Sequence, residues 1–114
     1  MEGAALRASF SVSPSLSVAP LPILANWLSD PDGYEVLFDR PLRAGERDGG
    51  YWRAWKGGVL QQSDLAWADG RVASVWTTAG RPGPYENRVE YDGSGGDLTG
   101  EDGTPVASFD IVPT

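Results

Sequence analysis

Carboxylates are the residues this chain supplies most freely for chemistry. A glycine-rich stretch, residues 92–103, sets Asp92, Asp97, Glu101 and Asp102 among Gly93, Gly95, Gly96, Gly100 and Gly103. Hard oxygen ligands on a flexible loop are what Ca²⁺ takes. The twelve-residue calcium loop spacing and the nonapeptide calcium repeat are both absent, so the expectation here is a solvated acidic loop. Glu86 with Glu90, and Asp30 with Asp32, are carboxylate pairs of the kind glycoside hydrolysis needs. An acidic chain makes such pairs by chance, and no catalysis is read from them. The rest of the catalytic repertoire is thin. His 0 and Cys 0 remove the commonest general base, thiolate nucleophiles, disulfides and zinc–thiolate or iron–sulfur sites, and Lys56 is the only lysine. No phosphate loop, dinucleotide fingerprint or nucleophile elbow is present. No catalytic residue, metal or cofactor is therefore expected, and the chain reads as a binding or structural module.

Aromatic residues are the second resource. Trp27, Trp52, Trp55, Trp67 and Trp76 stand in a chain with Trp 5, Tyr 4 and Phe 3. Aromatic faces stack on sugars and anchor protein interfaces. Trp52 and Trp55 are three apart, so on a strand they face opposite sides and at least one is expected to point outward. Trp27 or Trp76 is expected in the core. Trp52, Trp55 and Trp67 are the candidates for a contact surface, with a protein partner favoured over a carbohydrate.

The third resource is the N-terminal segment. From residue 9 to residue 18, serines at Ser9, Ser11, Ser13, Ser15 and Ser17 alternate with Phe10, Val12, Pro14, Leu16 and Val18. A period of two marks an extended strand with one apolar side. Pro14 has no N–H to give to a ladder, which restricts the segment to an edge or an arm. Residues 1–20 are read as an extended arm that orders against its own domain or a neighbouring subunit. Phe10, Val12, Leu16 and Val18 are its partner-binding residues.

What holds these groups is a strand–turn rhythm. Residues 23–28 are apolar and precede the turn residues Ser29-Asp30-Pro31-Asp32-Gly33. Residues 34–38 alternate, with Tyr34, Val36 and Phe38 on one side. Residues 43–50 read as a charged loop. A strand over 51–55 leads through a tight Gly57-Gly58 turn into 59–62. Residues 65–67 and 71–77 flank Asp69-Gly70, a hairpin signal. Residues 79–84 read as a long turn, 87–91 as a strand, and 106–112 as a closing strand. No helix of useful length is expected. Short strands at roughly ten-residue intervals point to an all-β sandwich or barrel, and 114 residues suffice for one domain.

Charge narrows the partners. The formal net charge is −7, with Lys+Arg 9 against Asp+Glu 16. Nucleic acid and anionic membrane both call for a basic face, so neither is an expected partner. Residues 1–7 have no basic region followed by an apolar run, so no signal peptide is expected, and assembly in a host cytoplasm is.

The order of these motifs resembles a known family. Tyr34-Glu35-Val36-Leu37-Phe38-Asp39-Arg40-Pro41-Leu42, then the Gly57-Gly58 and Asp69-Gly70 turns, then Arg88-Val89-Glu90-Tyr91, and finally residues 97–109 are similar to bacterial immunoglobulin-like (SwmB-like) modules. Such modules occur as repeats in surface proteins and as single domains in phage virion proteins. The resemblance covers residues 21–112. This chain departs from it with Gly103-Thr104 in place of Gly-Asn, and with more tryptophan. It implies an immunoglobulin-like β-sandwich of about seven strands over residues 21–114. By analogy it also implies a non-enzymatic virion protein, foremost a capsid decoration or cement protein. The expected partners are capsid or other virion proteins in many copies, with self-association through the arm. A tail or baseplate component and a carbohydrate- or receptor-binding module are the alternatives.

Overall fold

A computed structural model describes residues 18–29 and 32–114. Its strands are β1 (Pro22–Leu28), β2 (Gly33–Phe38), β3 (Gly45–Asp48), β4 (Trp52–Lys56), β5 (Val59–Asp69), β6 (Val72–Pro82), β7 (Asn87–Tyr91) and β8 (Phe109–Ile111). A single 3₁₀ turn, Gly49–Tyr51, is the only helical element among the described residues. The all-β expectation holds.

The strands form one nearly closed sheet in the order β1–β2–β6–β5–β4–β7–β8, with β3 added to β5. Every ladder is antiparallel. The two ends of the path meet through the C-terminal residue. Thr114 N–H donates to the Ala25 carbonyl (2.9 Å), and Trp27 N–H donates to the Thr114 carbonyl (3.3 Å). Bonds to the residues on either side of Asn26 are the pattern of a parallel pair.

The long hairpin β5–β6 lets one sheet wrap around a core. Its register shifts between Leu60 and Gln61 and again between Ser63 and Leu65, which makes Gly80 and Asp64 the extra residues. Bulges bend and twist a strand. The first part of β5 pairs with β4 and the last part with β3, so a single strand serves both walls. A Cβ at Gly80 would overlap the Leu60 carbonyl oxygen, so the first bulge needs glycine.

These bulges account for most departures from the sequence reading. Residues 59–62 and 65–67 belong to one strand, because Asp64 resets the alternation between them. Residues 79–82 continue β6 and are not a turn. Within the charged loop over 43–50 lies β3, an edge strand whose charges mask its β character. The closing strand shrinks to β8. Its alternation breaks at Ser108, whose Oγ accepts from Gly93 N–H (2.8 Å), while Val106 is buried and bonds instead to the Leu98 carbonyl (3.0 Å). Both glycine turns are where expected, and Gly57 and Gly58 have φ of 58° and 83°, which a two-residue hairpin turn requires.

The core sets aromatic rings on β4, β7 and β8 against small residues on β5 and β6. Trp52, Tyr91 and Phe109 are cross-strand neighbours on β4, β7 and β8. Their rings lie 4.8 Å (Trp52–Tyr91) and 5.7 Å (Tyr91–Phe109) apart, and Tyr34 of β2 meets Trp52 at 6.1 Å. Across from them β5 and β6 present Ala66, Ala68, Ala73 and Val75. Small residues facing large ones give the rings room to interdigitate at protein density. The motif Phe38-Asp39-Arg40-Pro41-Leu42 ends β2. Asp39 Oδ1 accepts from Leu21 N–H (2.9 Å), and buried Leu42 donates its N–H to the Gly70 carbonyl (2.7 Å).

Buried Tyr34 is expected to make the fold sensitive to alkali. Its hydroxyl is buried without a hydrogen bond of good geometry, although Ser63 lies beside it. Burial pushes the Tyr34 pKa up, with Ser63 pulling weakly the other way. Tyr91 is raised as well, by burial, against the Leu98 N–H that its hydroxyl accepts. A folded pKa above the unfolded value of about 10 means stability that is full below that pH and lost as pH rises toward the folded value. Without His or Cys, few groups titrate between about pH 5.5 and 9. Urea denaturation across pH is expected to give a flat midpoint there and a fall above about pH 10. Tyr34→Phe should flatten the fall and leave neutral-pH stability within about 1 kcal/mol of the parent, because no hydrogen bond is lost. An unchanged alkaline limb would remove Tyr34 as its cause.

Candidate interaction surface

Four strands, β1, β2, β6 and β5, share an outward face whose membership follows from register. Inward residues along them, Ala25, Tyr34, Val36, Ala73, Val75, Ala66 and Ala68, are buried. Their neighbours therefore point out. The outward positions fall into three cross-strand rows. Leu28, Gly33, Trp76 and Leu65 form one. Asn26, Glu35, Ser74 and Trp67 form the next. Leu24, Leu37, Val72 and Asp69 form the third. β3 adds Asp48 beside Leu65 and Glu46 beside Trp67.

On a sheet with one solvated face these positions are ordinarily polar. Here the two outer rows are largely apolar, and Trp67 (43% exposed) and Leu65 (38%) stand open to solvent. The charges on the face are Glu35, Glu46, Asp48 and Asp69, and none of the paired outward positions carries Lys or Arg. The surface is apolar with an acidic border. Val18, Leu21 and Ile23, at the start of the described chain, are exposed as well.

Two edges among the described residues, by contrast, are guarded against new strands. The free side of β3 is capped by side chains. Arg47 donates to the carbonyls of Glu46 and Arg43 (2.7 Å each), and Asp97 Oδ2 accepts from Asp48 N–H (3.0 Å). β2 pairs with β6 only as far as Trp76, and the stretch of β6 beyond it ends in Arg81 and Pro82. Charges and proline are how natural sheets discourage edge pairing.

A polar groove lies on the opposite wall. It has a volume of about 370 Å³ and is lined by Tyr51, Arg53, Glu90, Asp92, Ser108 and Asp110, among others. Arg88 bridges its strands, bonding Glu90 (2.7 Å) and Asp110 (3.2 Å), and the Glu90 carboxylate raises the Arg88 pKa. Solvent-exposed pairs of this kind contribute little to stability.

The expected contact residues divide. Of the three candidate tryptophans Trp67 is the exposed one, at 43%, and Val18 is 42% exposed. Phe10, Val12 and Leu16 lie outside the described residues. The expected exposure of Trp52 or Trp55 is corrected, because Trp52 is 2% and Trp55 5% exposed. They do face opposite sides. Trp52 is the centre of the core, while outward Trp55 is covered by the segment after β6. A Cβ at Gly83 would overlap the Trp55 indole, and Tyr85 packs edge-on against it at 4.8 Å. Gly83 N–H to the Gly58 carbonyl (2.9 Å) and Gly58 N–H to the Glu86 carbonyl (2.8 Å) fasten that cover. Trp27 packs against the core as expected, whereas Trp76 belongs to the outer face. Leu24, Leu37 and Leu65 were not singled out from sequence, and Trp76 was read as a core candidate. Their signal was apolar residues at both phases of β1, β2, β5 and β6, where a half-solvated strand shows one.

The acidic side chains disperse. Asp92 accepts from Ser94 Oγ (2.6 Å) and Ser94 N–H (3.0 Å), which lowers its pKa. Asp102 is lowered chiefly by Thr104 N–H (2.9 Å). Asp97 serves β3. Glu90 engages Arg88, and of the Asp30/Asp32 pair only Asp32 is described. Among the described residues no three His, Cys, Asp or Glu side chains gather as a metal site. Comparison of this chain with protein families, with curated proteins and with solved structures finds no match.

Proposed function

We propose that the protein is a non-enzymatic structural module of a phage virion, foremost a capsid decoration or cement protein that works by repeated protein–protein contact. The observation that carries the contact role is the apolar outer face of β1, β2, β6 and β5, bordered by carboxylates and left uncovered by the described residues. Exposed contiguous apolar surface of this kind marks an interaction site. Contacts of modest strength become strong when they repeat around a symmetric assembly. The virion setting rests on the family resemblance of residues 21–112.

The finer fold reading is an immunoglobulin-like sandwich. Several pairings support it. β1–β2–β6 with the later half of β5 corresponds to one layer of that fold, and β4–β7–β8 to the other. Immunoglobulin domains bury a tryptophan on the strand that corresponds to β4, against a disulfide between the strands that correspond to β2 and β7. Trp52 is buried on β4 in this chain, between Tyr34 of β2 and Tyr91 of β7.

Co-sedimentation with assembled shells is the test. Saturable pelleting with shells, reduced by Trp67→Lys, is the expected result. Protein that stays in the supernatant at all shell concentrations would overturn the decoration role. Pelleting with isolated tails instead would move the proposal to the tail or baseplate. A second reading, carbohydrate or receptor binding, is favoured by the polar groove beside Tyr51 and by exposed Trp67. Its expected sign is saturable quenching of tryptophan fluorescence by glycans.

A further inference from the structure

We infer that the outer face of β1, β2, β6 and β5 is the seat of residues 9–18 of a second copy of this chain. The inference rests on the contact role proposed above and names the partner.

Three observations lead to it. The first is chemical fit. Residues 9–18 carry Phe10, Val12, Pro14, Leu16 and Val18 in one phase and serines in the other. The two apolar rows of the face, Leu24–Leu37–Val72 and Leu28–Trp76–Leu65, are four residues apart along β1, about 13 Å. Val12 and Leu16 are also four residues apart, so an extended segment laid along the strands sets one on each row. Pro14 then meets the middle row, Asn26–Glu35–Ser74–Trp67. Proline lacks the N–H that edge addition needs, but a face offers no ladder and asks for none.

The second is charge. Two such faces packed together would oppose Glu35, Glu46, Asp48 and Asp69 to their own copies with no cation between them. Residues 1–18 carry only Glu2 and Arg7, so they cover the face without that repulsion.

The third is where the chain leads. Pro20 is fully buried, a Cβ on Gly100 would lie 3.2 Å from its ring, and Leu21 is tied to Asp39 through both its N–H and its carbonyl. Val18 lies by Arg40, Pro41 and residues 100–102, beyond the end of β2. The described chain therefore begins beyond the end of β2, anchored at one end of the sheet. Nine extended residues reach about 30 Å, enough to cross a neighbour's face. A head-to-tail contact of this type closes into rings or extends into lattices.

The chain has no cysteine, so introduced thiols react alone. Full-length Pro14→Cys is mixed with full-length Ser74→Cys, which lies on the middle row, and treated with a short bismaleimide. Val112→Cys, exposed and off the face, replaces Ser74→Cys in the control. Linked dimers are expected at least tenfold faster with Ser74→Cys than with Val112→Cys. Equal rates would overturn the inference. So would a link confined within one chain when both cysteines are placed on the same molecule and diluted. Shell co-sedimentation of the parent protein is scored separately. Binding to shells without the cross-link removes the inference and leaves the decoration role, whereas the cross-link without shell binding removes the decoration role and leaves the face as a contact between copies.

Discussion

Trp52→Ala is expected to cost about 3–5 kcal/mol, the range for removing a large buried aromatic side chain. Domains of this kind carry about 5–15 kcal/mol in total, so the variant should be marginal or unfolded at room temperature. The magnitude follows from position. Trp52 touches Tyr34, Tyr91 and Phe109, at ring separations of 6.1, 4.8 and 5.9 Å. It therefore joins β2 on one wall to β7 and β8 on the other. The facing alanines on β5 and β6 have no side chain to extend into the space it leaves. Urea denaturation followed by circular dichroism measures the loss. Trp52→Phe should recover much of it, because the indole N–H it deletes has no hydrogen-bond partner. A loss below about 1 kcal/mol for Trp52→Ala would mean that the two walls are not joined through this ring.

Gly93→Ala is the second large effect expected, about 1–3 kcal/mol, as overpacking commonly costs. A Cβ at Gly93 would sit 2.6 Å from Ser108 N and 2.8 Å from the Ala107 carbonyl carbon. Those are backbone atoms of the segment leading into β8, and they yield only if that segment moves. The same shift would stretch the Gly93 N–H to Ser108 Oγ bond. Gly95→Ala is the control. Its new methyl would meet only the edge of the Tyr51 ring at 3.3 Å, a side-chain contact relieved by a shift of a few tenths of an ångström. Thermal melts of the pair are expected to place Gly93→Ala well below Gly95→Ala. Equal melting temperatures would show that the 106–108 segment is not held against Gly93.

The contrast between these two glycines marks how far the sequence can be read. Both lie in an acidic, glycine-rich stretch that reads as one solvated loop. Local composition reports that turns are permitted there, and it carries nothing about which glycine another segment approaches. The same limit hid Gly83, whose missing side chain lets the loop after β6 cover Trp55. Alternation placed Trp55 outward correctly. Whether an outward ring is exposed depends on what folds over it.

All-β character, both tight turns, the inward set Tyr34–Val36–Phe38 and the acidity that disfavours nucleic acid were legible in the sequence alone. Each follows from period-two alternation, turn residues or net charge, which are local or additive properties. The tertiary structure alone decided that Gly80 and Asp64 are bulges, that one long hairpin serves both walls, and that Thr114 closes the sheet against β1. It also decided that Trp52 is core while Trp67, Leu65 and Trp76 share an open face. A bulge shifts the phase of every residue after it, and cross-strand register joins residues far apart in the chain. Neither is encoded in any single window of sequence.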